Sequence, residues 1–146
     1  MKLELFKRLN DLMSVYGLGD ENSQETNTAL CYTNSIFAKL LKFRESRDNC
    51  IAENGHRLFI QILKYPKANK HLFLETLDSI KLFLARRKDL REFSEITEHA
   101  VFDDDSQELN VSYLQVLAIL SFEKRNHVHL KRPEFLEKLE DKNMFQ

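Results

Sequence analysis

Two histidines near the end of the chain, His127 and His129, come closest to a metal-binding pattern. Histidine is a common metal ligand, and the ligands of one ion must converge on it. On a helix, positions two apart diverge by about 200°, so the pair would not share a metal there, although on an extended segment it could. No third ligand stands at a recognisable spacing. We therefore interpret both as exposed histidines on a polar turn and predict no metal site.

Cys31 and Cys50 are the only cysteines, and a thiol could act as a nucleophile or a metal ligand. They have no CxxC spacing and no cluster of cysteines or histidines around them, which indicates free thiols in a reducing compartment. The sequence has no Gly-rich phosphate loop, GxSxG, HExxH or paired-carboxylate motif. We predict that the protein is not an enzyme and uses no cofactor. An all-α enzyme with a site assembled from Cys31 and a distant histidine is the least favoured hypothesis.

Composition predicts a single ordered, helical domain over residues 1–146. Hydrophobic residues make up 42% of the chain and charged residues 31%, with only 3 Gly and 2 Pro, so turn residues are too scarce for many strands. A formal net charge of -1 gives no global attraction to nucleic acid or anionic membranes, and we expect neither specific nucleic-acid binding nor membrane insertion. Charged residues between Met1 and Met13 exclude a signal peptide there. We expect a cytoplasmic protein, with the nucleus as the alternative compartment.

Apolar residues recur at steps of three and four along most of the sequence, the periodicity of amphipathic helices. Long helices are predicted from Lys2 to Ser14, from a capping box at Asn22 and Glu25 to Phe43, from Asn69 to Arg87, and from a capping box at Asp105 and Glu108 to Phe122. Shorter elements are predicted from Glu45 to Glu53, over Leu58 to Leu63, through Leu90, Phe93 and Ile96, weakly at Ala100 to Phe102, and from Pro133 to Glu140.

Three details of these helices follow from residue type. Gly55 is suited to a left-handed cap after the helix that ends at Glu53. The run from Leu58 to Leu63 is apolar except at Gln61, so it predicts an inner helix, which Pro66 ends. The helix that ends at Phe43 has an apolar face formed by Ala29, Leu30, Thr33, Ile36, Phe37, Leu40 and Leu41.

The long helices Thr26 to Phe43, Asn69 to Arg87 and Leu109 to Phe122 recur at separations of about 40 residues, within the range of armadillo and HEAT units. A short polar helix and then a short apolar one follow each of them. The stretch RESRDNCIAENGHRLFIQIL resembles the armadillo signature, in which a polar helix ends in Ile, Glu and Gly before an apolar helix. In this chain those places are taken by Ile51, Glu53 and Gly55.

This resemblance implies an all-α, right-handed α-solenoid of about three armadillo-like repeats, at about 1–43, 44–88 and 89–125 with a partial unit at 126–146. The later copies depart from the signature, since the second has no glycine and the third has Pro133 near the break. HEAT-like stacks, formin-type regulatory domains and ordinary helical bundles remain alternatives. The chain has no tryptophan, so it lacks the ladder by which import receptors of this family hold basic peptides.

In armadillo-like stacks the longest helix of each unit lines the concave groove, so the resemblance implies that the residues opposite its apolar face contact a partner. A helical wheel places three such stripes, which are Ser35, Ala38 and Lys42, then Glu75, Asp78 and Leu82, then Ser112, Gln115 and Ile119. Leu82 and Ile119 add apolar surface to a face that otherwise meets water, as expected of protein-binding sites. We predict a non-enzymatic scaffold module that binds a protein or peptide along this groove.

The runner-up hypothesis is a self-associating structural or regulatory domain. A solenoid of this kind would begin and end on apolar helices that normally need a cap, and a piece of a longer protein or a homodimer through terminal helices would supply one. Under this hypothesis, charge introduced at Leu5, Leu9 or Leu136 changes the mass in solution.

Two charged clusters have simple interpretations. The basic residues Lys81, Arg86, Arg87, Lys88 and Arg91 could form a phosphate-binding or acid-binding patch. Acidic residues flank them on both sides, so we interpret them as neutralised surface pairs with Glu75, Asp78, Glu92, Glu95 and Glu98. The run from Asp103 to Asp105 lacks the ligand pattern of a calcium loop, and we interpret it as a solvated loop.

Overall fold

The structure, a computed structural model, describes residues 24–64, 70–99 and 106–140, with the side chains of the first range described from Cys31 onward except Thr33. Throughout these ranges the regular structure is helical and no strand occurs. The predicted all-α class is therefore confirmed, and the arrangement of three repeats stays a prediction. Outside these ranges lie the predicted helix from Lys2 to Ser14, the caps at Asn22 and Asp105, the element at Ala100 to Phe102, Pro66, and the side chains of Ala29, Leu30 and Thr33.

The chain divides by its internal contacts into two compact units, Met1–Phe83 and Leu84–Gln146. The four helices described in the first unit are α1 (Gln24–Leu40), α2 (Arg44–Ala52), α3 (His56–Lys64) and α4 (Lys70–Phe83). Those described in the second unit are α5 (Glu95–Glu98), α6 (Gln107–Leu120), α7 (His127–Leu130) and α8 (Pro133–Glu140), with 3-10 turns at Ala85–Arg87 and Lys124–Asn126. No helix in the described ranges is both long enough and apolar enough to cross a bilayer.

Three phenylalanines mark the core of the first unit. The ring of Phe37 on α1 meets that of Phe59 on α3 edge-on, with centroids 5.8 Å apart, and the Phe59 ring lies 6.0 Å from that of Phe83 on α4. Both α1 and α3 pack against α4. Aromatic pairs at these distances and tilts add attraction beyond the apolar area that they bury.

The predicted apolar face of α1 is right at its centre and wrong at its edge. Phe37 and Leu41 are buried as predicted, and Leu40 is half-buried. Ile36, however, is 47% exposed. It is rotated about 100° around the helix from Phe37 and about 140° from Leu41, which places it beyond the side that α4 covers.

Helix α3 is the inner helix that its sequence predicts. Four of its apolar side chains are buried, while Gln61 is exposed, as expected; the buried four are Leu58, Phe59, Ile60 and Ile62. A helix with apolar residues on nearly every side is stable in water only when neighbouring elements cover it.

The turn between α2 and α3 corrects the prediction of a left-handed Gly55. The residue with a positive φ angle is Asn54, at 60°, whereas the φ angle of Gly55 is not positive. Asparagine tolerates this conformation better than most residues because its short polar side chain can bond locally. Gly55 is needed for space instead, since a Cβ there would lie 2.8 Å from the Sγ atom of Cys50.

Two helix boundaries also differ from prediction. The helix predicted to reach Arg87 ends at Phe83, and Arg86, with φ 59° and ψ 26°, interrupts the turn that follows. Helix α6 is capped by Ser106, whose Oγ atom accepts a hydrogen bond from the Leu109 backbone N–H at 3.2 Å. Serine serves this role as well as the aspartate predicted one residue earlier. Helix α8 begins at Pro133 as predicted, where the missing N–H costs nothing.

In the second unit, side chains complete the hydrogen bonding at helix ends. The Arg132 guanidinium donates to the backbone carbonyls of Thr97 and Glu98, both at 3.1 Å, and to that of His129 at 2.9 Å. The buried amide of Asn126 donates to the Leu120 carbonyl at the end of α6, at 2.8 Å. Helix α5 packs against α6 and α7, and the buried apolar side chains of this unit include Phe93, Ile96, Val116, Leu117 and Leu120.

Candidate functional site

The first predicted stripe and the second meet at the carboxylate of Glu75. The Ser35 hydroxyl on α1 donates to both carboxylate oxygens of Glu75 on α4, at 3.0 and 3.1 Å. The buried side chain of Asn34 donates to the same carboxylate at 3.2 Å and to the Thr76 hydroxyl at 3.5 Å. Two residues predicted for one surface on successive long helices therefore lie side by side.

His71 approaches the same carboxylate from the outside, with its Nε2 atom 3.5 Å from an oxygen of Glu75. The carboxylate thus stands between a serine and a histidine. The contacts of Ser35 and Asn34 with this carboxylate tie α1 to α4 and hold Glu75 in one orientation.

The rest of the first-unit stripe is accessible. Lys42 and Asp78 are exposed, and Leu82 is half-buried. The Asp78 carboxylate lies 3.6 Å from the Lys81 ammonium, which confirms that part of the predicted neutralisation of the basic cluster. Lys81 is half-buried and Asp78 exposed, so the Asp78 carboxylate is the group of this pair that is open to a partner.

The stripe on α6 in the second unit is less open than the wheel predicts. Ser112 is only 8% exposed, while Gln115 is exposed and Ile119 half-buried. The side chain of Ser112 is therefore withdrawn from any partner that contacts Gln115 and Ile119. A continuous groove along all three long helices stays a prediction.

Sequence reasoning missed three large apolar side chains on the surface of the first unit. Tyr32 and Ile36 lie one turn apart on α1, and Phe43 follows the end of that helix; they are 71%, 47% and 65% exposed. A wheel centred on Phe37 and Leu41 would have shown that Tyr32 lies far from the core face. Ile36 lies about 100° around the helix from Phe37, at the edge of the predicted apolar face, so its exposure depends on which side of α1 faces α4.

The cation-rich part of the second unit also differs from prediction. The Arg87 guanidinium stacks on the ring of Phe122, 3.6 Å from its centroid. The Glu123 carboxylate lies 3.6 Å from Nε of Arg91 and 3.2 Å from Nε of Arg125. Glu98, expected to neutralise this cluster, instead faces His129 at 3.4 Å. Apart from the Glu123–Arg125 pair, these contacts join residues more than 30 positions apart, so their signal in the sequence is weak.

The two histidines near the end of the chain diverge, as predicted for a helix. The Nε2 atom of His127 lies 2.8 Å from the Ser121 carbonyl, whereas His129 faces Glu98. Both are half-buried rather than exposed, because each ring packs toward a partner. Among the described residues no group of three or more histidine, cysteine or acidic side chains is arranged to hold a metal ion.

The cysteines differ in their surroundings. Cys50 is fully buried, and this burial raises the pKa of its thiol from 9.0 to about 12. The thiolate is the form that attacks electrophiles and binds metals, so Cys50 is held in its unreactive state at neutral pH. Cys31 is half-buried on α1.

In the first unit, α1 and α3 both pack against α4. All-helical folds host many unrelated functions, so the fold by itself assigns none. In comparisons with known proteins, no family model, no curated protein and no solved structure matches this chain.

Proposed function

We propose that the chain is an armadillo-like α-solenoid of about three repeats that acts as a non-enzymatic protein-binding module. Its partner segment lies along the outward stripes of the long helices, α1 and α4 in the first unit and α6 in the second. The observation that carries the proposal is the contact between Ser35 and Glu75, 3.0 Å apart. In a stack of repeats, successive long helices run side by side, and their groove-facing residues become neighbours.

Polar and apolar groups on this surface suit a protein ligand. The Glu75 carboxylate is held in place by Ser35 and Asn34, so little side-chain entropy is lost when a partner's N–H group binds it. Leu82 provides a half-exposed apolar contact next to the exposed Asp78. Protein interfaces typically combine an apolar centre with a polar rim in this way.

Exposed apolar residues on α1 enlarge the surface that a partner can cover. Tyr32 and Ile36 are two large exposed side chains one turn apart on the helix. Tyrosine is among the residues most enriched at interface hot spots. An apolar surface left in contact with water is unfavourable, and its burial by a partner is a common source of binding energy.

A capture experiment tests this proposal. Wild-type protein and the double variant Leu82→Glu, Ile119→Lys are immobilised and exposed to cell lysate, and bound proteins are identified by mass spectrometry. We expect a partner that the wild type retains and the double variant loses, because a charge in the centre of an interface is costly to bury. Circular dichroism must show equal helicity for both proteins.

The matched control places equal charges elsewhere, as Gln61→Glu on α3 and Val128→Lys on α7, two exposed positions outside the stripes. The control should retain the partner. Equal capture by all three proteins, or equal loss in the control, contradicts the proposed surface.

Self-association through terminal helices is the second candidate, and one observation favours it. Leu136 on α8 is 45% exposed, so this helix leaves a large apolar side chain in water. Light scattering on wild type and Leu136→Glu distinguishes the two candidates. A dimer mass that falls to the monomer mass in the variant supports self-association, whereas a monomer mass for both proteins removes it.

A further inference from the structure

One surface of the second unit concentrates positive charge around an exposed aromatic ring. We call it the arginine–phenylalanine surface, and it consists of Arg86, Arg87, Arg91, Phe122, Lys124 and Arg125. Apart from the structural contacts given below, its charged groups are exposed to solvent. It lies outside the stripes of the long helices, and its ligand class is different.

The backbone between Arg86 and Asp89 carries strain that glycine would remove. Arg86, Arg87 and Asp89 all have left-handed conformations, with φ of 59°, 61° and 56°. Glycine adopts this conformation freely, whereas an L-residue with a long side chain is disfavoured there. Strained conformations of this kind concentrate at functional sites. The arginines therefore stand at positions that the fold alone would assign to glycine, and we attribute their presence to the side chains.

The aromatic ring fixes one of these arginines in place. The Arg87 guanidinium lies 3.6 Å from the centroid of the Phe122 ring, which is itself 56% exposed. A guanidinium stacked on a ring is restricted in its motion but retains its N–H donors at the edges. Arg87 is thus preorganised to donate, and the open part of Phe122 offers an apolar contact beside it.

Glu123 shows within the protein how this surface takes up a carboxylate. Its two oxygens are approached separately by Nε of Arg91 and Nε of Arg125, at 3.6 and 3.2 Å. Arg86 and Lys124, both exposed, form no ion pair in the described part of the chain. One internal carboxylate is therefore shared by two cations, and two further cations remain to meet carboxylates from outside.

We propose that the arginine–phenylalanine surface binds a short acidic peptide segment. Carboxylates of the segment pair with Arg86, Arg87 and Lys124, and an apolar side chain next to them covers Phe122. Charge-assisted hydrogen bonds between guanidinium and carboxylate supply the specificity. This inference goes beyond the proposed function, because it assigns a second surface with a ligand class of its own.

The charge balance of the second unit favours a short segment over nucleic acid. Acidic residues outnumber basic ones from Leu84 to Gln146, and several are exposed, among them Glu92, Glu98, Glu108, Glu134 and Glu137. A polyanion that extends beyond the cations would meet this negative charge, whereas binding to nucleic acid gains affinity from many phosphate contacts along a strand. A peptide of a few residues ends before the repulsion begins.

Fluorescence anisotropy tests the proposal with a defined probe. The probe is a fluorescein-labelled peptide of about eight residues, glutamates around one central phenylalanine, and its control has glutamine at every glutamate position. We expect the acidic peptide to bind the wild-type protein and the glutamine peptide to bind more weakly by about tenfold or more. Raising NaCl from about 50 to about 300 mM should weaken binding of the acidic peptide, since salt screens exposed charges.

Three variants locate the site. Arg86→Ala, Lys124→Ala should raise the Kd of the acidic peptide by about fivefold or more, and Phe122→Ala by about threefold. Lys131→Ala removes an exposed cation of the same unit that is not part of the surface, and it should leave Kd unchanged. Unchanged melting temperatures would exclude loss of folding as the cause.

Three results would overturn the proposal. The first is equal affinity of the wild type for the acidic and glutamine peptides, and the second is equal loss in the Lys131→Ala control. The third is displacement of the probe by a single-stranded DNA dodecamer at a lower concentration than the unlabelled peptide requires, which would assign the surface to nucleic acid. These results leave the capture experiment on the long helices unaffected, so the two proposals fail separately.

Discussion

The two units of this chain reach the same helical class by different means. Helices described in the first unit have 9 to 17 residues, whereas the second unit includes two helices of 4 residues, α5 and α7. The last four carbonyl groups of any helix have no hydrogen-bond partner within that helix. In a helix of about 4 residues, nearly every carbonyl group is therefore unpaired. In the second unit the guanidinium of Arg132 supplies donors to carbonyl groups of both short helices, at Thr97, Glu98 and His129. The longer helices of the first unit pair a larger share of their carbonyl groups within the helix itself.

The left-handed residues of the two units show the same contrast. Among its described residues the first unit has one, Asn54, of a residue type that accepts this conformation at low cost. The described part of the second unit has Arg86, Arg87 and Asp89, and the arginines lack the short polar side chain that makes this conformation favourable for asparagine and aspartate. At its left-handed position the first unit has a residue type that favours this conformation. At two of its left-handed positions the second unit has arginines, which we attribute to the role of their side chains on the surface.

The largest expected effect comes from truncating the two cores. Phe59 in the first unit and Phe93 in the second are both fully buried, so Phe59→Ala and Phe93→Ala should each lower the free energy of unfolding by about 3–5 kcal/mol. Hydrogen exchange locates the loss. If the units differ as described, Phe59→Ala deprotects amides of α3 and α4 first, and Phe93→Ala those of α5 and α6. Equal deprotection of both units by either variant would mean that they unfold as one.

An intermediate effect is expected at the turn that gives the first unit its close packing. In Gly55→Ala the new Cβ would meet Sγ of Cys50 at 2.8 Å, which should lower the free energy of unfolding by about 1–3 kcal/mol. Cys50→Ala removes the obstructing atom. In that background Gly55→Ala should cost less by about 1 kcal/mol or more, as measured by a double-mutant cycle in urea. Additive effects would show that Gly55 is required for a different reason.

The smallest effect compares the left-handed residues directly. Arg86→Gly should raise the free energy of unfolding by roughly 0.5–1 kcal/mol, because glycine adopts φ of 59° without penalty. Asn54→Gly should change it by a few tenths of a kcal/mol at most, since asparagine already tolerates its conformation. Urea denaturation of both variants and the wild type measures the difference. A gain at Asn54 as large as that at Arg86 would remove the contrast between the units.

Local patterns in the sequence predicted the regular parts of the fold. The apolar run of α3, the buried pair Phe37 and Leu41 on α1, and the start of α8 at Pro133 all follow from periodicity or residue type. These features depend on neighbours within a few positions. The same is true of the i,i+3 pair between Asp78 and Lys81, which is 3.6 Å apart.

Features that depend on distant residues were not predictable in this way. Placing Arg87 on Phe122 requires a contact between residues 35 positions apart, and the pairing of Glu98 with His129 spans a similar distance. The exposure of Ile36 depends on which side of α1 faces α4. Left-handed arginines contradict the preference of their own residue type. The candidate surface on the second unit rests on such non-local contacts, and only its charge was visible in the sequence.

Because Cys50 is buried, the rate at which a thiol reagent labels it reports the opening of the first unit. Its Sγ atom lies against Gly55 with no exposed surface, so a thiol reagent can reach it only after the surrounding helices separate. At reagent concentrations where labelling outpaces reclosing, the labelling rate of Cys50 equals the opening rate of the first unit, whereas at lower concentrations it reports the opening equilibrium. Labelling of this one native side chain therefore measures both the opening rate and the opening equilibrium of the unit, in water and without denaturant.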